Sequence, residues 1–513
     1  MSTLNASNPH GNATSVAHAM NFETFVVELL RVHATSQGKP FEIQPSAFDA
    51  VAPLGFDNFT GPVFIECHAS TSQARFRNRL QKALSFIALN ATKSGAYEGH
   101  RNLTFINVFD SALAPSLSYK NELVSKLHEL GLTILIWTWK ELNELVSQHQ
   151  LAAKGIEENL LPLRVRQISN SADNDWTTTR TSRLSALVER ISIGRNTLFL
   201  GAGVSASAGM PDWNSLLNAL FVAYLANVEE GGDVTDDDKL KLVQRMNELD
   251  APSALVSARY VRKALAESKA SSNTFVEAIR KALYGLRRGR HDGLSTLIES
   301  LVAMCVPRRS GTLVKSVITY NFDDLFERGL NAGGVQHKCI YLASEPPDID
   351  DLPVYHVHGF VPQDASTYAG VNETPLVFSE EGYHHIYAES YHWSNLAQLN
   401  ALQNSTCIMV GLSMSDPNLR RLLEIAQRGF TESRHFAFLR RTSLGRFRGD
   451  GVNTLDVAEE KTTTFLKRHH ATTEALMSEL GVTVIWFEEF DELPALLESV
   501  FTPSRLSAAS AAY

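Results

Sequence analysis

The run Leu198-Phe-Leu-Gly201-Ala202-Gly203-Val-Ser205-Ala206-Ser-Ala-Gly209-Met-Pro211-Asp212-Trp213 constrains this chain more than any other stretch. An apolar strand enters a glycine turn, passes into a helix start built of small residues, and ends in a Gly-x-Pro-Asp loop. Backbone N–H groups at such a turn are expected to face outward without partners, and the helix dipole adds positive potential there. A pyrophosphate is the natural occupant. The Gly201-x-Gly203-x-x-Ala206 spacing alone is shared by many nucleotide folds, so it gains meaning only beside the segments downstream of Trp213.

Three further apolar runs end in polar clusters. They are Val317-Ile-Thr319-Tyr-Asn321-Phe-Asp323-Asp324-Leu325, then Val354-Tyr-His356-Val-His358-Gly359, then Cys407-Ile-Met-Val-Gly411-Leu-Ser413-Met-Ser-Asp416-Pro417-Asn418. In an open parallel sheet such strand ends converge on one crevice, where ligands bind. Taken singly, each has a plain structural reading. Asp323 or Asp324 suits the cap of a helix beginning at Leu325, and a lone His-Gly is usually a turn. His356 and His358 are read as pointing to opposite faces, with the His-Gly pair selecting His358 for the crevice. His384 and His385 beside Tyr383 are read first as ordinary surface or core histidines.

Jointly, and in this order, the four pieces resemble the NAD-binding core of the sirtuin family over about residues 183–500. The motifs that carry the likeness are Gly-Ala-Gly-x-Ser with Gly-x-Pro-Asp, Thr-x-Asn-x-Asp, His-Gly and Gly-x-Ser. The resemblance implies a Rossmann-type α/β domain and roles for named positions. Gly201, Ala202, Gly203 and Ser205 would hold the pyrophosphate, while Pro211 and Asp212 close on the nicotinamide side. Thr319 and Asp323 would complete the dinucleotide site, Asp323 accepting from the carboxamide. Gly411 and Ser413 suit the adenosine-side phosphates and ribose. Asn321 would orient a ribose hydroxyl or a water, and His358 would take a proton.

Protein-deacylating sirtuins carry a zinc module of four cysteines after the His-Gly motif. Here Cys407 is the only cysteine beyond His358, so that module is absent. The pattern is similar to bacterial sirtuin-like effectors of antiphage defence, which hydrolyse NAD+ to nicotinamide and ADP-ribose. The expected activity is therefore a regulated NAD+ glycohydrolase acting in abortive infection. Alternatives are an NAD or ADP-ribose sensor without turnover, a metal nuclease acting through the amino-terminal region, and least favoured a deacylase. The resemblance also implies a homo-oligomer, with a HerA-type ATPase or an Argonaute-like protein as partner.

A chain of 513 residues exceeds one core, so two or three domains are expected. The net charge of −9 gives no general pull toward nucleic acid, leaving only local basic patches for such contact. These are Arg75, Arg77, Arg79 and Lys82; Arg287, Arg288 and Arg290; and Arg434, Arg440, Arg441, Arg446 and Arg448, each read by default as a solvated face. Four scattered cysteines argue against disulfides and against a C-x-x-C metal site. With no signal pattern and no membrane-length apolar run, a cytoplasmic protein without a membrane partner is expected.

The expected layout is a disordered arm at 1–20, a smaller α/β domain at 21–165, a polar linker at 166–182, and the sirtuin-like domain at 183–513 with a helical insertion over 214–310. Strands near 41–52 and 62–67 in the first domain resemble a restriction-endonuclease-like core in degenerate form. Asp49 and Glu66 would be its Mg2+ ligands, with Glu28 a further one, and His68 standing where that fold carries lysine. The plain reading is that Asp49 and Glu66 face solvent.

Overall fold

The computed structural model describes residues 15–43, 48–69, 103–112, 132–171, 176–212, 215–220, 272–287, 294–308, 312–343, 350–377, 391–428, 432–449 and 454–501, with isolated positions between. The chain divides into two compact units. Among the described residues, no helix is long and apolar enough to cross a membrane.

The first unit comprises Met1–Thr178, Gln427–Ser433 and Leu444–Gly481. Its sheet runs in the order β1 (Ala50–Ala52), β2 (Val63–His68), β3 (Leu103–Phe109), β4 (Leu132–Trp137). Strand β1 is antiparallel to β2, and the other neighbours are parallel. Every residue of β2 and β3 is buried, the polar Glu66, His68, Thr104 and Asn107 included, so neither strand shows the apolar-in, polar-out alternation of a half-exposed sheet. The helix Val16–Ser36 starts where the Ser15 hydroxyl accepts from the His18 N–H, and its Phe22, Val26, Leu29 and Leu30 pack with Ile65 and Ile106. A reciprocal Thr138–Glu141 capping box opens the helix Trp139–Gln148 directly after β4.

Several boundaries differ from those expected. The arm placed over 1–20 is helical from Val16 onward, and residues 1–14 lie outside the described residues. Among the described residues of the stretch 41–52, Ala50–Ala52 form the strand, with Glu42 bridging to Val51. The helices expected near 72–90 and 117–130 fall outside the described residues, apart from helical positions at Phe76 and Gln81. The expected linker over 166–182 is mostly helix, Leu160–Ser171 followed by Trp176–Ile191. Its polar composition hid two anchors: Arg180 pairs with Glu492, and Arg183 donates to the Val484 carbonyl.

The second unit comprises Thr179–Ala426, Arg434–Ser443 and Val482–Tyr513. The expectation of one continuous domain over 183–513 is thus corrected, because 427–433 and 444–481 group with the first unit. The physical reason is the helix Glu459–Glu479, which packs on Leu160–Ser171. There the buried Arg164 guanidinium donates to Glu479 at 2.6 Å and to the Asn21 amide oxygen.

Seven strands form the second unit's sheet: β5 (Asn196–Leu200), β6 (Val314–Thr319), β7 (His337–Ile340), β8 (Leu352–His356), β9 (Thr406–Val410), β10 (His435–Arg440) and β11 (Val482–Phe487). They run parallel in the order β11-β10-β9-β5-β6-β8-β7. Central β5 and β9 are buried throughout, their Leu198, Leu200, Ile408 and Val410 joining a core with Val317, Phe436 and Ile485. Of the insertion expected over 214–310, the described parts are helical at 215–220, Ser272–Gly285 and Thr296–Cys305. The strand expected near 375–378 is not formed over 374–377, although the Val377 N–H donates to the His358 carbonyl at 2.8 Å. From β5 the chain builds β6, β7 and β8 on one side, then returns to build β9, β10 and β11 on the other. That reversal opens a crevice at the carboxyl ends of the central strands.

Candidate active site

The ends of β5 and β9 are locked together by backbone alone. Gly201 N–H donates to the Val410 carbonyl at 3.0 Å, and Gly203 N–H donates to the Gly411 carbonyl at 2.9 Å. A Cβ on Gly201 would lie 2.5 Å from the Gly411 carbonyl oxygen, so only glycine permits this approach. The outward-facing N–H groups expected at the turn are therefore partly spent: those of Gly201, Gly203 and Val204 all have protein acceptors.

Above this junction lies a cavity of about 610 Å3 lined by the carboxyl-end loops of the central strands. Of the residues singled out from sequence, Ala202, Gly203, Ser205, Pro211, Asp212, Asn321, Asp323, His358, Gly411 and Ser413 line it. Gly201 and Thr319 do not. They sit one step behind, Gly201 in the backbone junction and Thr319 accepting from the Asn321 N–H at 3.1 Å through its hydroxyl.

Asn321 follows β6, and both hydrogens of its amide can be accounted for. Nδ2 donates to the Gly201 carbonyl at 3.0 Å and to the Ser205 hydroxyl at 2.8 Å. A carbonyl can only accept, so the contact with Gly201 fixes which end of the amide carries the nitrogen. Oδ1 accepts nothing among the described residues. The Ser205 hydroxyl lies beside the Asp323 carboxylate and favours its charged form, and the carboxylate accepts the Leu325 N–H at 3.1 Å. Asp323 thus serves both readings, helix start and site wall. Burial pushes its carboxyl up to about 6, with Glu327 and Asp324 adding to the rise and the Ser205 hydroxyl and Leu325 N–H opposing it.

His358 lies in the turn after β8, its ring edge-on to Tyr320 at 4.7 Å between centroids. Its Nε2 stands 3.5 Å from Asp416 Oδ2, a contact longer than a hydrogen bond. Burial holds the imidazole below its ordinary value, and the Asp416 charge opposes that shift. His356 is separated from the site, but not by strand alternation, since residues two apart share a face. The strand ends at His356 and the chain turns at Val357 and His358, so only the second imidazole reaches the cavity. His356 instead pairs with Glu327 at 2.9 Å. Gly359 makes the turn, at φ +107° and with Leu376 and Pro375 where a Cβ would go.

Asp416 carries no assigned role in the sequence motifs. Its Asp-Pro step reads as a helix cap, and Oδ1 does accept the Leu419 N–H at 2.7 Å, leaving Oδ2 for His358. Asp212 is likewise a cap, accepting the Ser215 N–H at 2.7 Å. Apolar walls come from Met210, Leu216, Leu283, Phe322 and Val377, and no Lys or Arg is among the described lining residues.

Residues 315–465 match the family model for a SIR2-like domain. That match contains Asn321, Asp323, His358, Gly411 and Ser413, while the Gly201–Asp212 loop precedes it. No curated protein matches the chain.

The other expected sites fare differently. Asp49, Glu66 and His68 do not bring ligand atoms together: among the described residues the one cluster of metal-ligating type is Glu327, Cys339 and His356. Asp49 accepts the Cys67 N–H at 2.6 Å across the β1–β2 pair, and His68 meets the Asn107 amide oxygen at 3.0 Å while stacking on Phe109. Glu66 is buried rather than solvent-facing. Glu28 is committed to Arg31 and Gln167. The late arginines are largely paired, Arg440 with Glu489, Arg441 with Glu488 and Arg448 with Glu459. Arg287 donates to the Ala208 carbonyl and Arg434 to that of Gln403. The remaining basic positions at 75–82, Arg288, Arg290 and the 383–385 cluster lie outside the described residues.

Proposed function

We propose that the second unit hydrolyses NAD+ to nicotinamide and ADP-ribose. One observation carries the reading: the Asn321 amide and the His358 imidazole, 37 positions apart in sequence, line a single cavity with the Ser205–Asp323 pair. Its volume suits a small-molecule site.

In this reaction the ribose–nicotinamide bond breaks, its electron pair goes to the ring nitrogen, and neutral nicotinamide leaves. Positive charge then develops on the ribose. A wall with carboxylates and no guanidinium or ammonium group among its described residues favours that charge. Asp323 accepts from the leaving carboxamide. Asn321 Oδ1 accepts from a ribose hydroxyl or the attacking water, and is held in that attitude by its two donated bonds. Water adds to the ribose carbon, and neutral His358 takes its proton. Apolar Met210, Leu216 and Phe322 keep bulk water from the leaving group. With no cation among the described lining residues, neutral donors left over at the glycine turn and on the Gly411–Ser415 loop would hold the pyrophosphate.

By the likeness to antiphage effectors, we further place the enzyme among regulated NAD+-consuming proteins with a low resting activity. Oligomerisation or a partner ATPase would release it. A nuclease role for the first unit gains no support from the scattered Asp49, Glu66 and His68. The test is chromatography of NAD+ incubated with the full chain, alone and with its genomic neighbour. Nicotinamide and ADP-ribose should form in equal amounts and vanish in Asn321→Ala and His358→Ala. Tight NAD+ binding with no product under any of these conditions would sink the hydrolase reading in favour of a sensor.

A further inference from the structure

We propose that Glu327, Cys339 and His356 form a binding site for a divalent transition ion of the zinc class. The three side chains come from the helix Leu325–Ala332, from β7 and from β8, and their donor atoms lie within 4.8 Å of one another.

The state of each donor argues for an ion. Glu327 is 0% exposed; Oε1 meets His356 Nε2 at 2.9 Å, but Oε2 is buried with no hydrogen-bond partner among the described residues. An unsatisfied carboxylate oxygen in such a place is costly, and a cation removes the cost. His356 directs Nδ1 at the Asn321 carbonyl, 3.2 Å away. A ring that donates from Nδ1 carries its lone pair on Nε2, which is how metal-binding imidazoles are oriented by a backbone carbonyl. Cys339 supplies sulfur, with Tyr368 lining the same cavity beside it.

Access is provided. Cys339 and Tyr368 line an open cavity of about 700 Å3 with Gln336, His337 and Tyr341, separate from the candidate active site. Sulfur, imidazole and carboxylate together favour zinc or cobalt over magnesium or calcium, which take oxygen ligands. On binding, the Cys339 thiol gives its proton to solvent. Two anionic ligands then neutralise one divalent ion, so the buried site carries no net charge. Bonds of about 2.0–2.3 Å would draw the donors inward from their present spacing. Because His356 also braces the Asn321 carbonyl, a bound ion would stiffen the loop that presents the Asn321 amide.

The test uses full-length protein stripped with chelator and titrated with Co2+. A thiolate-to-cobalt charge-transfer band should appear, saturate at one ion per chain and bleach on adding Zn2+. Cys339→Ser should abolish the band while leaving the circular dichroism spectrum unchanged, and Glu327→Gln should weaken Co2+ binding by about tenfold or more. The site is overturned if wild type shows no such band, or if the band survives in Cys339→Ser. Neither readout depends on NAD+ turnover.

Discussion

Asn321 and His358 make the sharpest predictions because the neighbours that set their behaviour are named: Gly201 and Ser205 for the first, Asp416 for the second. Removing the His358 imidazole should lower NAD+ hydrolysis by about 100-fold to 10,000-fold, the usual range for a proton-transfer group, as read from initial rates. Asn321→Ala should cost activity and also about 1–3 kcal/mol of stability, since the Gly201 carbonyl and Ser205 lose their donor. Thermal unfolding separates the two losses. Asp416 holds the His358 proton affinity up against burial. Asp416→Asn keeps the helix cap but removes the charge, so the acid limb of kcat/KM should move to lower pH. An unmoved limb would show that another group titrates there. Asp323 makes a stability prediction of its own. Its folded-state value, about 6, lies above the unfolded value of 3.8, so its contribution is fully present below that lower value and is lost as pH rises through the higher one. Asp323→Asn should flatten stability across that window, by roughly 3 kcal/mol at most for a shift of about two units. Urea melts on the acid side of the window and at neutral pH measure it.

Among the elements, the four strand ends were legible in the sequence and their consequences only partly so. Gly201, Asn321, His358 and Gly411 stand where apolar runs stop, and a parallel sheet brings such points together whatever lies between. The sequence could not show that the turn's N–H groups are taken by Val410 and Gly411, because that depends on which strand lies beside β5. Nor could it show Asp416 facing His358, because the Asp-Pro step is fully explained as a cap. Gly201→Ala tests the junction: its Cβ would meet backbone at 2.5 Å, so β5 and β9 must part. A destabilisation of about 1–3 kcal/mol, with NAD+ binding weakened by calorimetry, is expected. Unchanged binding would mean the junction does not shape the cavity.

For the whole molecule, periodicity revealed the two α/β units but missed their interleaving. Amphipathic patterning tells which face of the helix Glu459–Glu479 is apolar, and nothing about which core receives it. Arg164 and Glu479, 315 positions apart, decide the matter. A fragment of residues 1–178 therefore lacks a helix that packs on Leu160–Ser171 and Val16–Ser36. Limited proteolysis should digest that fragment well before the full chain, and adding residues 444–481 as a linked segment should restore resistance. Equal resistance without that segment would contradict the division.

The chain crosses between the two units after Thr178, Ala426, Ser433, Ser443 and Gly481. No single cut can then release the seven-stranded sheet as a free module, because β10 and β11 lie beyond segments that group with the first unit. Any excised version of the second unit would have to carry 427–433 and 444–481 along, or replace them with new linkers to keep β10 and β11 in the sheet.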